Sequence, residues 1–264
     1  MSLLMIDQNT KLLGVVGQNI SYTLSPAIHN FSFSNLEINA VYLSFDIKED
    51  KLRRAVDGLV EVAKGLNFTI PYKEKVIELL DEVDKASEML GAVNTTMGRK
   101  GYNTDFLAVK SLVQEKVNSL DEKVCLIYGA GGASRAAAFA LAELGCSLEI
   151  INRSKERAEE VADRVRSYGY EAKVVEECRE AYVTVNTTPD WEKVPCNGSK
   201  LSIEFVYKPL ETTLIRASRN LGIDVINGIQ ILVRQAMEAE KIWFNSSLPD
   251  EKVLEYLYAR KLIW

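Results

Sequence analysis

Lys73 and Asp105 are the residues of this 264-residue chain best suited to moving a proton. Lys73 follows Asn67-Phe68-Thr69-Ile70-Pro71 at the end of a short apolar run, and Asp105 follows Tyr102-Asn103-Thr104 where a helical pattern begins. A lysine whose pKa is set by a nearby carboxylate can take a proton from a hydroxyl and return it. Alternative equipment is thin, because the chain holds a single histidine, His29. One imidazole leaves little for histidine acid-base work and excludes a multi-histidine metal site. Each member of the pair also has a plainer reading. A lysine early in a helix is by default a solvated surface group. An aspartate behind Thr104 can be a helix-start acid beside an N-cap. Their pairing favours acid-base use, while His29 reads as a hydrogen-bonding residue on a helix face.

A second constellation is Thr23-Leu24-Ser25-Pro26. Ser25 before Pro26 is a good helix start, with serine as N-cap and proline at the first helical position. Two hydroxyls beside a helix N-terminus can also hold a carboxylate without a full positive charge. Capping and carboxylate binding are compatible, and both readings stand.

The third is Val124-Cys125-Leu126-Ile127-Tyr128 running into Gly129-Ala130-Gly131-Gly132-Ala133-Ser134, with a strongly helical stretch after it. Strand, glycine turn and helix in that order make a dinucleotide cradle. Gly129 permits the turn, Gly131 lets a pyrophosphate approach bare backbone, and Ser134 keeps the helix close. About 20 residues on, where an NAD enzyme presents an acid to the ribose, this chain has Asn152, Arg153, Ser154 and Arg157. A carboxylate would repel a 2′-phosphate, whereas a guanidinium grips it, so the pattern favours NADP. The plainer reading is a charged helix start on a solvated face.

The elements that must position these groups follow from periodicity. Apolar runs alternate with helix-period segments nearly throughout, which predicts an α/β fold with mainly parallel sheets in two domains. Strands are expected at 12–17, 41–46, 65–69, 124–128, 147–152, 172–175, 183–186 and 201–205, with a hairpin of 92–97 and 100–103 turning at Gly98. Helices are expected at 26–36, 49–62, 72–81, 84–90 and 104–117. A polar stretch from Asn118 to Lys123 precedes a change of texture, and the residues from Gly228 onward read as two helices with no strand between them. Those helices are too little to form a domain and are expected to return to the N-terminal half. The expected domains are 1–103 with 228–264, and a Rossmann dinucleotide-binding domain at 104–227.

Composition narrows the partners. With 32 basic and 37 acidic residues the formal charge is -5, which gives no global pull toward nucleic acid or an anionic membrane. The N-terminal residues lack a basic region and a long apolar run, and no window suggests a membrane span, so cytoplasmic location is expected. Cys125, Cys146, Cys178 and Cys196 form no C-x-x-C pair; buried thiols are expected, with no metal site. The oligomeric expectation is a monomer or homodimer.

Taken in order, these segments resemble the shikimate dehydrogenases of the aromatic amino-acid pathway, over nearly the whole chain. The resemblance rests on Tyr22-Thr23-Leu24-Ser25-Pro26-Ala27-Ile28-His29-Asn30, Asn67 to Lys73, Gly91-Ala92-Val93-Asn94-Thr95, Gly101-Tyr102-Asn103-Thr104-Asp105 and the glycine loop. It continues through Asn186-Thr187-Thr188-Pro189, Tyr207-Lys208-Pro209 and Gly228-Ile229-Gln230-Ile231-Leu232 with Gln235. The resemblance implies an N-terminal substrate domain completed by the C-terminal helices. It also implies NADP-dependent, reversible reduction of 3-dehydroshikimate to shikimate, with Lys73 and Asp105 catalytic. Thr23 and Ser25 would bind the substrate carboxylate, and Thr69, Asn94, Tyr207 and Gln235 its ring hydroxyls. The cofactor would meet Gly129, Ala130, Gly131, Gly132, Ala133, Asn152, Arg153, Ser154, Arg157, Thr187, Gly228 and Ile231. Two other readings accompany this one: a broader quinate/shikimate dehydrogenase, and a non-catalytic ligand sensor on the same scaffold. The chain departs from the family's usual residues at Tyr22-Thr23 (commonly His-Ser), Ala108 and Asn245 (glycines), Glu204 (aspartate) and Ile231 (methionine).

Overall fold

A computed structural model describes residues 6–192, 196 and 198–263. The chain divides into two compact units, Met1–Thr104 with Gln235–Leu262, and Asp105–Arg234 with Ile263–Trp264.

The first unit contains β1 (Lys11–Gly17), α1 (Ser25–Asn35), β2 (Ala40–Asp46), α2 (Leu52–Val62), β3 (Gly65–Phe68), β4 (Glu82–Val83), α3 (Lys85–Leu90), β5 (Thr95–Met97) and β6 (Lys100–Tyr102). Its sheet order is β2-β1-β3-β5-β6-β4. β1 runs parallel to both β2 and β3, and the β5/β6 hairpin joins antiparallel to β3. Because strand side chains alternate, β1 feeds two cores. Val16 joins Val56, Leu66, Phe68 and Val76, while Leu13 and Val15 join Phe33, Tyr42 and Trp243. In α2 the buried residues are Leu52, Val56 and Val60, four apart on one stripe, as an amphipathic helix requires. The C-terminal residues complete this unit: Trp243 donates its indole N–H to the Thr96 carbonyl at 2.9 Å, and Tyr256 stacks on Phe31.

The second unit carries β7 (Val124–Tyr128), α5 (Gly132–Glu143), β8 (Ser147–Ile151), α6 (Lys155–Ser167), β9 (Ala172–Val174), β10 (Ala181–Asn186), β11 (Gly198–Glu204), α7 (Thr213–Asn220) and β12 (Asp224–Ile226). All six strands are parallel, in the order β12-β11-β10-β7-β8-β9. The chain winds outward from β7 to β9, returns to the other side of β7, and winds outward again. The reversal leaves a crevice beyond the carboxyl ends of β7 and β10, the place where open α/β sheets bind ligands. The remaining helices are α4 (Thr104–Lys116), α8 (Gly228–Phe244) and α9 (Asp250–Ala259).

Several expectations are corrected. The cysteines are paired rather than free: Cys125 with Cys146, and Cys178 with Cys196, at Cα separations of 6.1 and 6.0 Å that suit a disulfide. Adjacent parallel strands bring the first pair together, since Val124 lies opposite Ser147. Ser25 is the first residue of α1 rather than its cap; Leu24 occupies the cap position, without a side-chain hydrogen bond. Lys73 lies in a turn ahead of a short 3-10 segment, Lys75–Leu79, rather than in a helix. The short strands β4 and β12 carry too few residues for a periodic signal, and neither was expected.

Candidate active site

In the first unit the candidate groups gather at one end of the sheet. Parallel pairing of β1 with β3 brings Val16 opposite Phe68, so the loops that follow, bearing Thr23 and Thr69 to Lys73, leave the same edge. They are hydrogen-bonded to each other, with Thr69 N–H to the Val16 carbonyl at 3.0 Å and Gln18 N–H to the Ile70 carbonyl at 3.2 Å. Within the second loop, Tyr72 N–H closes the turn onto the Thr69 carbonyl at 2.8 Å. Lys73 follows, half-buried, with its carbonyl accepting from Val93 N–H at 2.7 Å.

Asn94, next to Val93, is 2% exposed. Its Oδ1 accepts the Thr104 N–H at 2.7 Å and the Thr95 hydroxyl at 3.0 Å, and its Nδ2 donates to Thr104 Oγ1 at 3.0 Å. A primary amide has two N–H groups, so Nδ2 has a second hydrogen beyond the one given to Thr104. Thr104 Oγ1 also donates to Gln235 Oε1 at 3.4 Å. The turn holding Lys73 and the residue preceding Asp105 are thus tied to consecutive residues, Val93 and Asn94. Asp105 itself is half-buried in the first turn of α4. Thr23 and Ser25 are coupled: Thr23 Oγ1 donates to Ser25 Oγ at 3.2 Å and accepts from Ser25 N–H at 3.3 Å. Two adjacent hydroxyls at the start of α1 suit a carboxylate.

In the second unit the glycine loop sits at the end of β7. Gly129 has φ +112, and a side chain there would also strike Thr187 Oγ1 at 2.3 Å, so both conformation and space require glycine. Thr187 is held by Tyr128, whose carbonyl accepts its N–H at 2.9 Å and its hydroxyl at 2.6 Å. Ser134 Oγ donates to the Gly129 carbonyl at 2.7 Å, drawing α5 against the turn. Gly131 is the N-cap of α5, and no atom lies within 4 Å of where a side chain at Gly131 or Gly132 would begin. Open space over bare backbone at a helix N-terminus fits a pyrophosphate.

Beside this loop is a cavity of about 300 Å³ lined by the expected Gly129, Asn152 and Arg153. Tyr128, Ile151, Asn186, Thr188, Pro189 and Asp190 line it too. Sequence reasoning did not single these out as site residues; the signal was their place at the carboxyl ends of β7, β8 and β10. Asn152 Nδ2 donates to the Ser154 carbonyl at 2.9 Å, and Ser154 Oγ caps α6 by accepting from Arg157 N–H at 3.3 Å. Ser154 is therefore engaged as a helix cap, and Arg157 is exposed outside the cavity lining. Arg153 remains the guanidinium on the cavity wall.

The wall is braced from behind by Glu204, which is fully buried. It accepts from Asn186 Nδ2 at 3.0 and 3.1 Å, from Thr212 Oγ1 at 2.9 Å and from Val206 N–H at 2.9 Å. Burial pushes its carboxyl above the ordinary range, partly opposed by these donors. Asn186 Oδ1 then fixes the Thr188 N–H and hydroxyl at 3.1 and 2.7 Å. Gly228 opens α8 in close contact with the Phe205 and Val206 backbone, while Asn227 and Gln230 cap that helix reciprocally. Ile231 is buried in α8, and Tyr207 is half-buried in the loop after β11. Among the described residues no cluster of His, Cys, Asp and Glu could hold a metal ion, and no helix is long and apolar enough to cross a membrane.

Residues 15–96 match the shikimate dehydrogenase substrate binding domain, and residues 111–187 match shikimate / quinate 5-dehydrogenase. The shikimate dehydrogenase of Sulfurisphaera tokodaii is 56% identical, over 99% of this chain and 100% of that protein. The chain belongs to the shikimate dehydrogenase family. Saccharolobus islandicus has a relative named shikimate dehydrogenase (NADP(+)) that is 54% identical over 98% of both chains. Among solved structures, a shikimate dehydrogenase in complex with NADP+ superposes with a TM-score of 0.89 at 31% identity, over 98% of each chain. As a member of the shikimate dehydrogenase family the chain carries several unusual residues, three of which have plain places in the fold. Tyr22 points largely to solvent, Ala108 is buried in α4, and Asn245 takes a left-handed φ of +53, which asparagine tolerates better than other side chains.

Proposed function

We propose that this chain is an NADP-dependent shikimate dehydrogenase that interconverts shikimate and 3-dehydroshikimate, reducing the latter in the biosynthetic direction of the aromatic amino-acid pathway. The observation that supports the reading is the tether of the Lys73 backbone and of Thr104 to consecutive residues, Val93 and Asn94, which holds the turn bearing the proposed base to the segment bearing the proposed hydroxyl-binding amide. In the oxidative direction the C–O bond of the ring carbinol becomes C=O. Its hydroxyl proton goes to the neutral Lys73 Nζ, and the carbon-bound hydrogen leaves as hydride. When bound, NADP supplies the hydride acceptor, and NADPH the donor for the reverse reaction.

Asp105 orients the Lys73 ammonium and holds an adjacent ring hydroxyl. Thr23 and Ser25 bind the substrate carboxylate, while Thr69, Asn94, Tyr207 and Gln235 contact ring hydroxyls. Residues 129–133 with Thr187 receive the pyrophosphate, Arg153 with Asn152 the 2′-phosphate, and Gly228 with Ile231 the nicotinamide side. Small molecules are the partners, and the workplace is the cytoplasm. Four parallel absorbance assays, with shikimate or quinate and NADP or NAD, test the reading. Fastest turnover with shikimate and NADP is expected. Preference for quinate would favour the broader dehydrogenase, and no turnover with any combination would overturn the enzymatic reading.

A further inference from the structure

The chain segments that follow β1, β2 and β3 leave the same end of the first unit's sheet, and the Tyr72 side chain is where they meet. Tyr72 is fully buried, and its ring joins the apolar cluster of Val16, Val56, Phe68 and Val76. Its hydroxyl donates to the Ile47 carbonyl at 2.5 Å, and Gln18 Oε1 lies 3.1 Å away. A phenol has one hydrogen, so the shorter contact takes it. Ile47 N–H donates to the Gly17 carbonyl at 2.9 Å. Both backbone groups of Ile47 are therefore engaged, one with the end of β1 and one with the turn that carries Lys73.

Lys73 is the next residue along the chain, and the backbone around it is pinned from two sides. On one side its carbonyl accepts Val93 N–H, and on the other the Tyr72 hydroxyl reaches Ile47. Between them the Tyr72 carbonyl accepts Val76 N–H at 2.9 Å. A phenylalanine would bury the same ring in this cluster with no hydroxyl to satisfy. The oxygen adds nothing to apolar packing; it adds a fixed point for the turn. Lysine has a flexible four-carbon stem, so the place of its amine depends on how firmly the backbone that carries it is held.

We propose that Tyr72 is a positioning residue for the reaction: its hydroxyl, anchored on the Ile47 carbonyl, fixes the turn from which Lys73 acts. The inference rests on the reading of Lys73 as the proton-transfer group. Tyr72 acts through Lys73 rather than on the substrate.

Tyr72→Phe keeps the ring in the core and removes only the hydroxyl. The expected result is a kcat for shikimate oxidation lowered about tenfold, as misplacement of a reacting group implies. The KM values for shikimate and NADP should stay within about twofold of wild type, because the groups proposed to bind them are untouched. In the Lys73→Ala background, Tyr72→Phe should lower kcat by no more than about twofold further, since the group it positions is already gone. Asn39→Ala is the control: it removes side-chain bonds to Thr10 and Asp7 at the opposite, amino end of β1 and β2, and should leave kcat within about twofold. An unchanged kcat in Tyr72→Phe, an equal loss in Asn39→Ala, or a full further loss in the Lys73→Ala background would each overturn the positioning role. So would a Tyr72→Phe chain that no longer folds, because the hydroxyl would then serve stability alone. If Lys73→Ala itself keeps wild-type kcat, or the wild-type chain does not oxidise shikimate, the reading of Lys73 falls and this inference with it.

Discussion

The Asn94 side chain accepts the Thr104 N–H at 2.7 Å, so a residue of the loop before β5 sets the start of α4 and with it the place of Asp105. One amide therefore does two jobs, structural at Oδ1 and, by the proposed mechanism, ligand-binding at Nδ2. Asn94→Ala should cost about 1–3 kcal/mol of stability, because it orphans a buried N–H. It should also raise shikimate KM. Urea denaturation and steady-state kinetics check both; unchanged stability would mean that water replaces the cap.

Lys73 carries the proton transfer in the proposed mechanism. Lys73→Ala should lower kcat by about 10²- to 10⁴-fold with a much smaller change in shikimate KM. Asp105→Asn should lower kcat as well, and the double variant should lose less than the product of the single losses, as groups acting as a unit do. Near wild-type kcat in Lys73→Ala would shift attention to Tyr207.

Arg153 is the guanidinium on the wall of the glycine-loop cavity. Removing it should weaken NADP by about ten- to a hundredfold and leave NAD nearly untouched, since only NADP carries the 2′-phosphate. Titration of both cofactors against Arg153→Ala is the check, and equal losses would contradict the assignment.

Glu204 offers a pH test. Burial raises its carboxyl above the ordinary 4.5, so the folded chain holds that proton more tightly than the unfolded chain does. The stability contributed by protonation is present below the unfolded value and is lost as pH rises through the raised one. Relative to Glu204→Gln, wild type should therefore gain stability as pH is lowered from about 8 to about 5. Denaturation curves across that range would show it; a difference independent of pH would mean that the donors around Glu204 cancel the effect of burial.

The two disulfides close sequence separations of 21 and 18 residues. By the chain-entropy account each should contribute about 3 kcal/mol, mainly by restricting the unfolded chain. Unfolded, non-reduced protein should show no reactive thiol, and Cys125→Ala with Cys146→Ala should lower the denaturation midpoint. Four reactive thiols under those conditions would refute the pairing.

Much of the fold and parts of the candidate site were legible in the amino-acid order because the signals are local. A buried strand, a glycine turn needing positive φ and a helix start all lie within residues 124–134, where neighbours along the chain decide the conformation. The same holds for the alternation of strand and helix, and for the loop after β3 that carries Lys73. Local pattern also misplaced details: Ser25 looked like a cap, but the helix begins one residue earlier than a serine cap allows.

What only the tertiary structure decided involves partners far apart in sequence. His29 meets Glu240 across 211 positions, Tyr42 meets Asn67 across 25, and Asn186 meets Glu204 across 18. No periodicity announces such pairs; they follow from strand order and from the need of each buried polar group for a partner. The cysteine pairing has the same origin. Thiol spacing alone permits several connectivities, and it is the parallel register of β7 and β8 that places Cys125 near Cys146.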